Sequence, residues 1–395
     1  MSDPLRTVAV VGGGIGGLTA ALLLSRLGHE VTLFEKHTRT VGVGAGLLLA
    51  PNGLAVFDAL GVGNDLREAG HVMHRSAVLR ANGALVMPLT FGGGGEGLDH
   101  AVAITRRALH RRLWAALEQD DLVRLRTGLE VIDVQVDGQL WSKPKGGPQS
   151  SSYDVIVGAD GVHSLARTRG RFDAEVTSTG QTYVRGLVPT SQAPSAAGEY
   201  WTRLGIFGGA PVGDGLTYFY ASGTQLQKAI ERQDLDAFRS AWAEELPSAR
   251  STLEAVSNFS DLLVNQVERV DCAAWVDQRV VLIGDAAHAM APTLGQGANS
   301  AVVDAAVLAQ ELTSSDLAGA LDAYQCRRLP AVRRVQDTAD RITKLSTTPG
   351  TVRPWLRDRI LRAASRSTGS QRRQRRLVDQ EDPPALRRSL AEHLS

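Results

Sequence analysis

Short apolar runs bounded by glycine alternate along the chain with stretches of helical period, and this alternation sets its organisation. Residues 7–11 (TVAVV) are β-branched, 18–27 are Ala/Leu-rich, and 30–35 (EVTLFE) form a second apolar run. In that order they predict a βαβ unit with parallel strands. Residues 52–60 read as a helix ending at Gly61, and 76–88 alternate as a hairpin that turns at Asn82-Gly83. After a glycine-rich link at 92–97, Thr105 caps a predicted helix over 105–117, with Leu109, Leu113 and Leu117 on one face. Strands follow at 122–126, 130–136 and 153–157, with a Lys/Pro/Gly/Ser-rich surface loop at 143–152.

From 172 to 271 the texture changes to short alternating strands and many turns. Alternation places Tyr183 and Arg185 on one strand face, and Tyr218 and Tyr220 together opposite Phe219. A mostly antiparallel lobe with one helix at 235–245 is expected. Residues 280–283 are again a buried strand, running into Gly284-Asp285, a Pro-containing turn and a glycine-rich helix start. Helices are predicted at 298–312 and 317–345, with Pro330 kinking or separating the second. The Arg-rich tail from 353 onward reads as a solvated terminal helix rather than a nucleic-acid arm, because acids are interspersed and Trp355 is its one aromatic.

Composition narrows the class. The chain has 395 residues with 43 Lys+Arg against 42 Asp+Glu, so no global charge argues for nucleic acid or an anionic membrane. Cys272 and Cys326 have no metal or redox spacing and are expected to be reduced thiols. No apolar run reaches the roughly 18 residues of a membrane span, and a strand begins a few residues in, where a signal peptide would lie. The expectation is a cytoplasmic protein with no membrane, nucleic-acid or metal partner.

Three places carry chemistry. Gly12, Gly14 and Gly17 follow the first strand with dinucleotide spacing: the first for the tight turn, the second for close approach of a pyrophosphate, the third for helix–strand packing. Glu35 closes the second strand, where an acid accepts from ribose hydroxyls and disfavours a 2′-phosphate. Asp160, at the end of strand 153–157, stands beside glycines, with Ser164 and Arg167 following. Asp285 ends a third apolar strand, and Gly295-Gln296-Gly297 opens a helix whose N–H groups suit a developing anion. Arg106 lies in a first helical turn, where a cation is unfavourable unless an anion is near. The stretch 41–52 is either a loop feeding a strand or a mobile segment lying against a flat ring.

The motifs GGGIGG with Glu35, Ala159-Asp160-Gly161 with Ser164 and Arg167, and Gly284-Asp285 with His288, Pro292 and Gly295-Gln296-Gly297 occur in fixed order. In this the chain resembles the group A FAD-dependent monooxygenases of p-hydroxybenzoate hydroxylase fold, over about 7–345. Salicylate, 3-hydroxybenzoate and urate hydroxylases and tetracycline-modifying enzymes look similar. The resemblance implies an α/β fold: a Rossmann-like FAD-binding domain interleaved with an antiparallel β-sheet substrate domain, then C-terminal helices. The bounds are 1–171 with an inserted β segment at about 72–100, 172–271 for the substrate lobe, 272–346 completing the first domain, and 347–395 for the tail.

Carried over by position, the resemblance assigns Gly12, Gly14 and Gly17, with Ile15 beside them, to the FAD pyrophosphate, and Glu35 and Lys36 to the adenosine ribose. Arg106 would reach the phosphate and ribityl region, Leu129 the adenine, and Asp285 a ribityl hydroxyl. Asp160 would shape the site for FAD and NAD(P)H. The backbone of Gly295, Gln296, Gly297, Ala298 and Asn299 would face the flavin N1–C2 edge, and the segment 44–48, with Gly46 and Leu48, would line the ring. The implied reaction uses NAD(P)H and O₂ to oxygenate an aromatic small molecule through a flavin C4a-hydroperoxide, by hydroxylation or epoxidation. Pro292 would lie near the oxygen-transfer point, with Arg185, Tyr218 and Tyr220 on the substrate side. His288 is expected to be structural, and no dedicated base is visible. A reductase or halogenase of the same fold and a non-catalytic FAD-binding protein are the alternatives; the halogenase Trp-x-Trp-x-Ile-Pro motif does not occur. The expected assembly is a monomer or homodimer.

Overall fold

A computed structural model describes residues 5–38, 45–91, 95–193, 198–346, 357–362, 369 and 377–394. Residues 41–44, the first half of the 92–97 link (92–94) and much of the Arg-rich tail, Trp355 included, lie outside the described residues.

The first apolar runs become the centre of a six-stranded sheet. Its order is Val276–Asp277, Val280–Leu282, Val155–Gly158, Thr7–Val11, Glu30–Glu35 and Val123–Thr127. All pairings are parallel except that of the short first strand. Val8, Ala9, Val10, Ile156, Val157, Val281 and Leu282 are fully buried. That is why these strands read as continuous apolar runs: a parallel sheet is covered on both faces. Helix Ile15–Arg26 and helix Gly297–Glu311 pack together closely, and a Cβ on Gly16 would lie 3.1 Å from the Ala301 Cβ. Helix Arg106–Glu118 is capped by Thr105, whose hydroxyl accepts from the Ala108 N–H at 3.1 Å, and it buries Leu109, Leu113 and Leu117.

The second sheet has seven strands in the order Leu263–Cys272, Ala174–Pro189, Leu216–Ser222, Ile206–Pro211, Gly198–Trp201, Arg75–Arg80 and Leu85–Thr90. The hairpin turning at Gly83 therefore extends this sheet at its far edge. One face is sealed by helix Leu235–Glu245: Val184, Val188, Phe207 and Phe219 pack on Phe238 and Trp242. Tyr183, Arg185, Tyr218 and Tyr220 occupy the opposite face, as two-residue alternation requires.

Three expectations change. The lobe is not built only of short strands, since Ala174–Pro189 runs unbroken for 16 residues, with an irregularity between Ser178 and Thr182 that absorbs the sheet twist. Pro330 does not separate the second long helix, which is continuous over Leu317–Ser346. Tyr324 and Arg328 before the proline and Ala331, Val332 and Val335 after it are buried, and that packing offsets the roughly 3 kcal/mol cost of an internal proline. The tail's end is not solvated either. Helix Pro383–Leu394 lays Leu386 and Leu390, one turn apart, into the main core beside helix Pro51–Ala59. Arg387 pairs with Glu96 at 3.0 Å and approaches Asp58, and Arg388 also reaches Glu96. Three charged residues among twelve, with a Pro-Pro start, concealed a two-leucine stripe.

Leu390 is 1% exposed, so Leu390→Ala should lower stability by about 2–5 kcal/mol. Urea unfolding followed by tryptophan fluorescence measures it, and an unmoved midpoint would mean the terminal helix is not docked.

Candidate active site

The C-terminal ends of the parallel strands gather the polar groups. At the first, Gly12 has φ +107°, and a Cβ there would stand 2.4 Å from the Ala159 carbonyl. Gly17 is as constrained, its notional Cβ 2.0 Å from the Gly12 carbonyl. Gly14 differs: nothing lies within 4 Å of the position its Cβ would take. The turn is thus closed toward the sheet and open at Gly14, where helix Ile15–Arg26 starts without a side-chain cap and Ile15 is buried. A helix start of this kind presents N–H groups and partial positive charge to an anion.

Glu35 ends the neighbouring strand. Its Oε2 accepts from the Gly13 N–H at 2.8 Å, and Oε1 accepts from the His37 N–H at 2.9 Å and meets His37 Nδ1 at 2.8 Å. Burial pushes its pKa up, but the donated backbone N–H groups and His37 outweigh that and hold it below the usual carboxylate range. Lys36 beside it is exposed, and the Leu129 N–H is engaged by the Glu35 carbonyl at 3.1 Å.

Asp160 caps the next short helix. Its Oδ2 accepts from Leu165 and Ala166 N–H groups at 2.7 and 3.2 Å, while Oδ1 is buried with no hydrogen-bond partner among the described residues. Arg167, also buried, donates to the carbonyls of Ala286 (2.8 Å) and Val162 (2.5 Å), tying this loop to the Asp285 turn. Asp285 is exposed, with no side-chain partner among the described residues. Along the sheet, three inter-strand steps separate its strand from that of Glu35, about 14 Å.

Beneath Asp285 lies a buried charge cluster. Asp304 accepts from the Gly284 N–H at 3.0 Å and from Arg328 Nε at 2.8 Å, and meets His288 Nε2 at 2.5 Å. All three side chains are at most 1% exposed. Gly284 has φ +60° and ψ −143°, a conformation essentially reserved for glycine. A fixed carboxylate thus pins the strand-to-helix turn, and His288, as expected, faces inward, against Trp275 at 4.9 Å.

The helix start at Gly297 is also uncapped, and Cβ positions at Gly295 and Gly297 meet nothing within 4 Å. Gln296 and Asn299 are buried and turn inward. Asn299 donates to the Leu48 and Gly295 carbonyls at 2.8 and 2.9 Å and accepts from the Ala50 N–H at 3.0 Å. Gln296 accepts from Asn52 and Gln380, both at 3.2 Å. Ala298 is half-buried beside them. Strand Gly46–Leu49 is thereby clamped to the helix start. Its other side meets the second lobe, since a Cβ on Gly46 would fall 2.4 Å from Tyr218 Cγ. Arg106 begins its helix next to this strand, donating its backbone N–H to the Ala45 carbonyl at 2.8 Å. Its exposed guanidinium has no carboxylate partner among the described residues.

The second lobe faces this edge with Arg185 and Tyr218, beside the turn Pro292–Leu294 of the first domain. Arg185 donates to Asn265 Oδ1 at 3.0 Å and stacks on Tyr183 at 5.8 Å. Ala291 and Leu294, flanking Pro292, pack with Tyr183 and Tyr220, and Thr293 donates to the Ala339 carbonyl at 3.0 Å. Sequence reasoning passed over Asp304, Arg328, Asn52 and Glu199. The signal for the first two was an isolated charge in an otherwise apolar helical stripe; for the other two there was none.

A βαβ glycine turn, an acid closing the second strand and two uncapped helix starts over one sheet edge define a dinucleotide-binding flavoprotein. The sequence profile described as "FAD binding domain" matches residues 6–339, and the chain belongs to this family of FAD-dependent aromatic monooxygenases. It is 30% identical to an aurachin C monooxygenase/isomerase of Stigmatella aurantiaca over 94% of this chain and 97% of that protein. To a 3-amino-4-hydroxybenzoate 2-monooxygenase of Streptomyces cremeus it is 32% identical over 91% of this chain and 93% of that one. Among solved structures, the tetrameric form of 2-methyl-3-hydroxypyridine-5-carboxylic acid oxygenase superposes with a TM-score of 0.76 at 27% identity, covering 90% of this chain and 96% of that one. FAD is the cofactor.

Two outcomes follow. Gly14→Ala should fold normally, because its Cβ meets only open space, yet be purified largely without FAD; a full complement of flavin would show that the pyrophosphate does not approach there. Asp304→Asn removes one charge of a buried cluster and should cost about 3–5 kcal/mol. Burial raises the Asp304 pKa, but His288 and Arg328 outweigh it and the net shift is downward from 3.8. Its stabilisation is therefore complete above about pH 4 and lost as pH falls through the lower native pKa. The gap between the denaturation midpoints of the two proteins should be constant from pH 6 to about 4 and should narrow below that.

Proposed function

We propose that the protein is a single-component monooxygenase that uses NAD(P)H and O₂ to hydroxylate, or epoxidise, an electron-rich aromatic or polycyclic small molecule. One observation carries the reading: the clamped strand Gly46–Leu49 lies between the uncapped helix start at Gly297 and the Tyr218 ring. A flat cofactor seated along that strand would have N–H groups at one edge and an aromatic, cationic lobe in front.

The residues present fit FAD. Gly12, Gly14, Ile15 and Gly17 would receive the pyrophosphate, with the exposed Arg106 guanidinium supplying countercharge. Glu35, Lys36 and Leu129 would meet the adenosine end, Glu35 through lone pairs beyond those its backbone donors use. Asp160, with its orphaned Oδ1, would shape the middle of the site, and Asp285 would accept from a ribityl hydroxyl. Gly46 and Leu48 would line the ring. The backbone from Gly295 through Gln296, Gly297 and Ala298 to Asn299 would favour charge at the ring's edge as it is reduced. FAD bound there supplies hydride uptake from NAD(P)H and activation of O₂ for transfer of one oxygen atom. Pro292, Arg185 and Tyr218 would border the substrate. Arg185 is half-buried with no acid beside it among the described residues, which favours a substrate bearing a carboxylate or an acidic ring oxygen.

In this reading residues 1–171, with the inserted β segment at about 72–100, and 272–346 make the FAD-binding domain, 172–271 the substrate lobe, and 347–395 the C-terminal helical tail. No helix among the described residues is long and apolar enough to cross a membrane. The proposed enzyme is cytoplasmic and acts as a monomer or homodimer.

The test is NADH and NADPH oxidation by the FAD-loaded protein with hydroxybenzoates, aminohydroxybenzoates, hydroxyquinolines and quinones, with product masses recorded. A product heavier by one oxygen atom is expected from at least one ring class. Peroxide as the sole oxygen product in every stimulated case would remove the monooxygenase reading.

A further inference from the structure

We propose that Tyr220 and Glu199 form a proton relay for a phenolic substrate, with Tyr220 touching the ring hydroxyl and Glu199 taking the proton behind it. The proposal deepens the function above and rests on it.

The relay is a product of sheet register. Arg185, Tyr220, Gly208 and Glu199 are cross-strand neighbours in one row of the second sheet, so they share the face turned toward the first domain. The glycine in that row is required. A Cβ on Gly208 would fall 2.2 Å from Tyr220 Cζ, so the Tyr220 ring lies across strand Ile206–Pro211 to reach Glu199 on the next strand. There the Tyr220 hydroxyl donates to Glu199 Oε2 at 2.7 Å. Glu199 Oε1 accepts from Trp201 Nε1 at 2.6 Å, and the carboxylate has no ion pair among the described residues. The Tyr220 ring stands 5.8 Å from that of Tyr218 and packs with Leu294 and Tyr183, so it borders the space between the Pro292 turn and the clamped strand.

Chemistry matches placement. With its proton directed at Glu199, the Tyr220 oxygen keeps lone pairs free to accept from a substrate hydroxyl. Burial pushes the Glu199 carboxyl up, only partly offset by the Trp201 and Tyr220 donors, which makes it a stronger proton acceptor than an ordinary carboxylate. Burial and the Glu199 charge push the Tyr220 phenol far up, so it passes a proton on rather than storing a charge. In the step the substrate O–H bond breaks and its proton joins Tyr220 as the Tyr220 proton moves to Glu199 Oε2. The result is a substrate phenolate, a neutral tyrosine and a carboxylic acid, with no change in electron count. The phenolate is the more electron-rich ring to receive oxygen, and the proton stays on Glu199 until the product takes it back. The other titratable or charged groups around it are Tyr183, Tyr218 and Arg185 on the sheet and, behind Trp201, Arg357 at 5.0 Å from the indole. Arg80, on the adjoining strand, is paired with Asp358.

The experiment uses the full-length FAD-loaded protein, NADH and NADPH each in turn, and three probes: 4-hydroxybenzoate, 3-amino-4-hydroxybenzoate and 4-hydroxyquinoline. Each is run beside a ring-fluorinated, more acidic form. Glu199→Gln should cut oxygenated product by about 10²-fold with the parent phenols at pH 7. The loss should shrink for the fluorinated forms, and the acid limb of the kcat/KM profile should disappear. Tyr220→Phe, which removes one hydroxyl and keeps the ring, should behave alike and stands in if the first variant does not fold; bound FAD is the folding control. An equal loss across phenol acidities, or an acid limb left in place, overturns the relay while wild-type turnover leaves the function intact. Wild-type protein that oxygenates none of the probes overturns the function, and the relay with it.

Discussion

The molecule depends on backbone N–H groups that its own side chains leave unpaired. Two helices, beginning at Ile15 and Gly297, start without side-chain caps over the same edge of one parallel sheet. Orphan N–H groups at a helix start are costly unless water or a ligand meets them, and here the glycines around them keep the approach open. Much of the surrounding structure holds those starts in place. Asn299 binds the Gly297 helix to strand Gly46–Leu49, and Asp304 binds the turn before it to His288, Arg328 and Gly284. Gln380 links the C-terminal segment to Gln296 and Ser300.

The second lobe answers a different constraint. An antiparallel sheet with one face sealed by Phe238 and Trp242 has its other face available for polar and aromatic side chains. That face carries Tyr183, Arg185, Tyr218, Tyr220 and Glu199, and Gly46 admits Tyr218 against the first domain. The contact between the lobes brings two kinds of group together: backbone dipoles come from one side, phenols and a guanidinium from the other. Both remain fixed because each rests on a packed core.

Places where local reading failed share a cause. Residue type alone makes Pro330 a helix separator and the terminal helix a solvated one, whereas their placement follows from what they bury. A helix continues through proline when both of its halves are packed, and an arginine-rich segment docks when two leucines one turn apart find a groove. Propensity is a weak prior beside tertiary burial.

The sequence alone determined the elements whose signals are local. These are the βαβ unit with Gly12, Gly14 and Gly17, Thr105 as a cap, the hairpin at Gly83 and the strand ends bearing Glu35, Asp160 and Asp285. Steric limits on a tight turn and the period of a buried strand act within a few residues, so they are written in the order of the chain. Tertiary structure decided what depends on residues far apart. Asn299 clamps a strand some 250 positions earlier, Arg328 neutralises Asp304 from another helix, and Glu199 meets Tyr220 only because Gly208 intervenes on the strand between them. Sheet register and helix packing create those contacts, and neither is visible until the chain has closed on itself.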